Sequence, residues 1–95
     1  MLESFTIDVF AGRVGERFRL VADGEALAVT LVECEQLGGT AMSRVPFSLV
    51  FLGPREPLLP QRIYPLGHDE LGDFDLFLVP IARDDEGTRY EAVFT

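Results

Sequence analysis

The sequence predicts an all-β, mainly antiparallel fold: a small barrel or sandwich of about six strands with a short helix near the N-terminus. Three observations predict it. The last third, LGDFDLFLVPIARDDEGTRYEAVFT, holds two strand-like runs, Asp73 to Arg83 and Thr88 to Thr95. They are joined by Asp84-Asp85-Glu86-Gly87, a short polar link ending in the residue that tolerates positive φ, as a type I turn with a glycine bulge requires. Upstream, Asp23-Gly24 is the dipeptide suited to a two-residue type I′ turn. The remaining apolar residues recur mostly at a period of two, between short joins rich in Gly and Pro.

Taken in order, residues 4–15 satisfy two patterns. Phe5, Ile7 and Val9 alternate as a strand would, whereas Ile7, Phe10 and Val14 share one helical face. Thr6 is placed to cap the helix and Gly15 to stop it, and Gly12 with Gly15 would weaken a strand, so a short helix is favoured. Glu16 to Ala22 is the first strand, with Phe18, Leu20 and Ala22 on one face. Closing a hairpin at Asp23-Gly24 sets Leu20 opposite Leu27 and Phe18 opposite Val29. Both apolar pairs then fall on the same side, an agreement that neither the turn nor the pattern forces alone.

The return strand runs through Thr30 to Glu35. Its apolar phase changes at Leu31, after which Val32 and Cys34 carry the apolar positions, so a bulge is expected there. Gln36 to Arg44, with Gly38-Gly39, reads as a loop. Pro46 to Leu52 is a strand with Phe47, Leu49 and Phe51 on its bulky face. Pro54 to Pro60 is a proline-stiffened connection carrying Leu58-Leu59, expected across an open barrel end or a sheet edge. Gln61 to His68 is the next strand. Its Pro65 implies an edge, a bulge or a side without ladder partners. Asp69 to Gly72 turns the chain into the last hairpin. There Leu76 to Ile81 is apolar on both faces, which calls for cover from a second layer or from a partner chain. Tyr90, Ala92 and Phe94 point inward on the final strand.

Residues 1–95 read as a single domain, with 47% apolar content and eight Phe to fill one core. The formal charge is −8, and all eight basic residues are Arg. A net negative field repels phosphate backbones and anionic bilayers, so neither nucleic acid nor a membrane is an expected partner. MLESFTIDVF lacks a basic start and is interrupted by Glu3 and Asp8, so it does not read as a signal peptide. A cytoplasmic location is expected. Lone Cys34 can build neither an internal disulfide nor a cysteine metal motif.

From residue 46 onward the pattern is specific. It comprises Pro46-Phe47-Ser48-Leu49, Phe51, Gly53-Pro54, Leu59-Pro60-Gln61, Tyr64 with Leu66 and His68, and Leu71-Gly72. It continues through Phe77-Leu78-Val79-Pro80-Ile81, then Gly87 with Tyr90-Glu91-Ala92-Val93-Phe94. Phe10, Gly15 and Phe18 are its weaker N-terminal part. With these residues the chain resembles an uncharacterised family of small bacterial proteins, described as a domain of unknown function. The resemblance implies a place near tail-collar-type fibre genes of phage-like particles, and with it a structural or assembly role. It supplies no catalytic residues.

Chemistry-bearing residues are few. His68, beside Asp69 and Glu70, is the one candidate general base, but no nucleophile stands at an interpretable spacing from it. Acidic residues cluster at Asp69, Glu70, Asp73 and Asp75, and again at Asp84 to Glu86. A strand between them would hold the clusters about 30 Å apart, and neither has the order of a calcium loop. No metal, cofactor or nucleotide is expected. Three functions are compatible with this pattern. The first is a non-enzymatic structural or interaction module, binding a protein partner or its own copy through Leu58, Leu59, Phe77, Val79 and Ile81. The second is a small-ligand-binding β-barrel. The third is an enzyme using His68.

Overall fold

In the computed structural model, which describes residues 5–38 and 45–95, one short helix precedes six strands. The helix α1 is Ile7–Ala11. The strands are β1 (Arg17–Ala22), β2 (Glu25–Gln36), β3 (Phe47–Gly53), β4 (Arg62–His68), β5 (Gly72–Asp84) and β6 (Gly87–Phe94). They close into an antiparallel barrel in the order β1-β2-β3-β6-β5-β4. The barrel alternative of the sequence reading is therefore the one adopted.

The first hairpin forms as its turn dictates. Asp23 has φ 52° and Gly24 φ 82°, the pair of positive values a type I′ turn needs. Phe18 faces Val29 and Leu20 faces Leu27, and β1 alternates between exposed and buried residues along its length. In β2 the register shifts between Leu31 and Glu33. The extra residue lets Leu31 and then Cys34 both turn toward the core, which is what the change of phase in the sequence required. The expected loop from Gln36 to Arg44 lies outside the described residues from position 39 onward, and Gln36 itself is the last residue of β2.

The barrel is solid. Phe18, Leu20, Val29, Leu31, Leu49, Phe51, Tyr64, Leu66, Leu78 and Tyr90 are each at most 2% exposed. A six-stranded barrel is too narrow to hold anything but its own side chains. Its two ends are closed differently. At one end α1 inserts Phe10, whose ring meets Phe47, Phe74 and Phe94 at centroid distances of 6.0–6.2 Å. Thr6 stands at the helix N-cap but makes no side-chain cap bond. Helical geometry ends at Ala11, so Val14 leaves the apolar face predicted for it and is exposed. Gly15, at φ 98°, turns the chain into β1 instead.

At the other end the proline-rich connection lies across the barrel mouth. Leu59 is buried there, its N–H donating to the Tyr90 hydroxyl at 3.1 Å, while Tyr64 donates to the Pro60 carbonyl at 2.6 Å. Two inward tyrosines thus use their hydroxyls to fasten the plug. Burial pushes the Tyr64 phenol upward, which keeps it protonated as a donor.

Gly87 shows why sequence and packing agree at the last turn. Its φ is 143°, and a Cβ there would collide with the Gly53 carbonyl oxygen. Gly24 also has positive φ, but nothing stands within 4 Å of its missing Cβ. Gly24→Ala should therefore cost about 1 kcal/mol from backbone strain alone. Gly87→Ala should cost more, on the order of 2 kcal/mol or above, because strain and backbone overlap add. Urea denaturation of the two variants reads the difference; equal midpoints would contradict it.

Candidate functional site

Antiparallel pairing of β1 with β4 brings the start of one strand to the end of the other. Glu16 lies just before β1, and His68 ends β4. Arg13 stands in the turn after α1, and Glu70 in the turn after β4. Residues far apart in sequence therefore meet at the α1 end of the barrel.

His68 is 7% exposed and its ring lies against Phe18, with centroids 4.6 Å apart. Its Nδ1 accepts hydrogen bonds from the backbone N–H of Glu70 at 3.1 Å and of Leu71 at 3.2 Å. A nitrogen that accepts carries no proton, so the ring proton sits on Nε2, which donates to Glu16 Oε1 at 2.7 Å. Arg13 completes the group. It donates from Nη1 to Glu16 Oε1 at 3.4 Å and to Glu70 Oε1 at 2.5 Å, and from Nε to the Val9 carbonyl at 3.1 Å.

The hydrogen bond from His68 holds the Glu16 carboxyl below its ordinary value. Partial burial opposes this, and Arg13 reinforces it. The bond to Glu70 is the main cause that raises Arg13. Glu16, His68 and Glu70 offer ligand atoms within 4.8 Å of one another, a donor set the sequence could not reveal because Glu16 is 52 residues from His68. The Arg13 guanidinium already stands as the cation between the two carboxylates. A metal ion would have to displace it and take the proton from Nε2. Both ring nitrogens of His68 serve partners within the chain. In this arrangement the residue holds the Asp69–Leu71 turn and anchors Glu16, and no lone pair is left directed outward for general-base work.

Of the other clustered acidic residues, Asp69 and Asp84 to Glu86 sit at turns or strand ends, whereas Asp73 and Asp75 are exposed positions within β5. β5 separates the 69–75 cluster from the 84–86 cluster. In the latter, Asp84 accepts from the Glu86 N–H at 2.9 Å, and Arg89 bridges Asp84 at 3.1 Å and Glu86 at 2.8 Å. The Arg89 guanidinium is raised by these contacts, the bond to Glu86 first.

The predicted interaction residues divide. Leu58 is 50% exposed, but Leu59 is part of the core, so the pair does not present two surface residues. The stiff loop must plug the barrel, and successive residues of an extended chain point to opposite sides. Phe77 and Ile81 are about half exposed and Val79 is partly so. The N-terminal segment caps the barrel end and does not cover them. Two further apolar residues, Ile63 on β4 at 61% exposure and Val93 on β6 at 53%, share the outer wall. Ile63 is the registered partner of Phe77. Alternation along β4 placed Ile63 opposite to Tyr64 and Leu66, which is the signal that could have singled it out.

A family profile with the description "Domain of unknown function (DUF6916)" matches residues 5–94. The chain belongs to this family. No curated protein and no solved structure matches it. The matched span runs from Phe5, at the α1 end of the barrel, to Phe94, the last residue of β6. The DUF6916 unit in this chain is therefore the barrel together with both of its plugs.

Two variants test the His68 arrangement. His68→Ala leaves two turn amides without an acceptor and should cost about 1–3 kcal/mol. His68→Asn, whose side-chain oxygen can stand near the Nδ1 position, should recover part of that loss. An alanine variant as stable as wild type would contradict the assignment. Glu16 supplies a pH test. Its folded-state value lies below its ordinary value of 4.5, so its contribution is complete above that value and is lost as pH falls through the folded one. The stability gap between wild type and Glu16→Gln should be constant at neutral pH and close on acidification. Denaturant titrations across that range measure it.

Proposed function

We propose that the chain is a non-enzymatic interaction module, which self-associates or docks on a larger assembly through the outer wall of its barrel. The observation that carries this reading is the exposed apolar pair Ile63 and Phe77, 61% and 51% exposed and directly opposite each other on neighbouring strands. Val79, Ile81 and Val93 extend the apolar character of this wall. Large apolar residues gathered on one face are the usual mark of an interaction surface, and aromatic residues dominate the energetics of such surfaces. Leu58 adds an apolar residue on a loop already fastened by two tyrosines, so little order would be lost when it binds.

The net charge of −8 favours a protein partner over nucleic acid or an anionic membrane. A phage-tail-like or fibre assembly is the setting that the family resemblance implies, and the cytoplasm is where the partner would be met.

The test is association measured on wild type and on Ile63→Thr/Phe77→Thr. Threonine suits a strand, and both residues face outward, so stability should change by no more than about 1 kcal/mol. Sedimentation and crosslinking should show wild type in complexes that the double variant fails to form. A strict monomer at high concentration that captures no protein from its host lysate would defeat the proposal.

A further inference from the structure

The barrel wall is dented where it closes. The β1–β4 ladder rests on two registered pairs, Arg19 with Gly67 and Leu20 with Leu66. One step further the same register would set Val21 beside Pro65, and proline has no N–H to give. Pairing stops there, and a groove of about 770 Å3 opens on the outer wall. Val21, Ala26 and Pro65 give it an apolar lining, and Arg19, Asp73 and Asp75 line it beside them. Arg19 reaches over Gly67 within the groove: its Nη2 and Asp73 Oδ1 stand 2.7 and 2.9 Å from where a Gly67 Cβ would lie, while its Nη1 donates to Asp69 at 3.1 Å. Among the described residues neither Asp73 nor Asp75 has an ion-pair partner. Asp75 is the registered partner of Pro65, and the next outward pair along the same two strands is Ile63 with Phe77. The groove therefore runs directly into the exposed apolar pair.

We propose that this groove docks an extended segment of a partner protein in which Arg or Lys stands next to aliphatic side chains. The inference rests on the interaction-module reading and names the chemistry of the partner. Charge complementarity selects the occupant. Arg and Lys combine a long apolar stem, matched to Val21 and Pro65, with a cation. That cation is matched first to Asp75, which has no neighbouring cation in the groove among the described residues, and then to Asp73, which stands beside Arg19. A second copy of this chain fits poorly. It carries a charge of −8, and five of its eight Arg, namely Arg13, Arg19, Arg62, Arg83 and Arg89, are already engaged in ion pairs. The length of the surface, from Gly67 to Phe77, suits a run of residues better than a single small amine.

The probe is a set of synthetic peptides alternating Val or Leu with Arg, compared with the same peptides carrying citrulline in place of Arg. Binding to the intact chain is read by fluorescence polarisation at two salt concentrations. The expected result is saturable binding that weakens with salt and falls about tenfold with citrulline. Asp73→Asn/Asp75→Asn should cause a similar loss, and Ala26→Phe, which fills the groove from an exposed position, should abolish binding. Thermal melting confirms that these variants fold. Equal affinity for citrulline peptides, or binding indifferent to the Asp and Ala26 changes, overturns the groove. If no peptide binds while wild type still associates through Ile63 and Phe77, the groove inference fails and the interaction module stands. If Ala26→Phe instead blocks self-association, the occupant is a second copy, which also overturns the proposal. If there is neither peptide binding nor association, both readings fall.

Discussion

Everything in this structure depends on closing six strands around side chains alone. Closure removes the sheet edges, but it obliges the inner face to be filled and both ends to be stopped. The aromatic rings meet the first demand. Phe18 packs edge-on to Phe51 at 5.3 Å, and Phe47 stacks on Phe94 at 4.4 Å. The helix carrying Phe10 and the loop carrying Leu59 meet the second. With both plugs committed to the interior, most of the large apolar residues left exposed, Val21, Ile63, Phe77, Ile81 and Val93, lie on the outer wall.

The same closure explains the two unusual features of the β1–β4 seam. Where the strands pair, the seam draws Glu16 and His68 together and builds a polar network that fastens the 69–71 turn. Where Pro65 interrupts pairing, the wall gives way and a groove results. The network and the groove lie toward opposite ends of one short ladder. The first holds the structure together through hydrogen bonds among its own residues. Among the described residues, the second leaves Asp75 without a cationic neighbour beside Val21 and Pro65.

Local chemistry made much of the fold readable. Asp23-Gly24 specified a turn, the turn specified a register, and the apolar residues on both strands agreed with it. The phase change at Leu31 announced a bulge, Gly87 announced the last hairpin, and Pro65 announced a side with few ladder partners. Each of these depends on neighbours a few residues away. The pairing of β1 with β4 does not, since nothing in either strand names the other, so barrel and sandwich stayed equally open. Arg13 and Glu16 were missed for the same reason. Leu59 and Val14 were misplaced because apolar content says that a residue can be buried, not which side of a loop or of a terminating helix it occupies. Phe77 and Ile81 were legible because a strand apolar on both faces leaves one face to explain. Ile63, on a strand with a clear inner face, drew no such attention.

The proposed interaction places the partner on the outer wall formed by β1, β4 and β5. The most direct measurement is methyl and amide chemical-shift mapping while the chain associates with its partner or with a basic-aliphatic peptide. Shifts should concentrate at Val21, Ile63, Gly67, Asp75, Phe77 and Val79, with the interior around Phe51 and Tyr90 unchanged. Shifts confined to the Glu16–His68 end, or spread through the core, would contradict it.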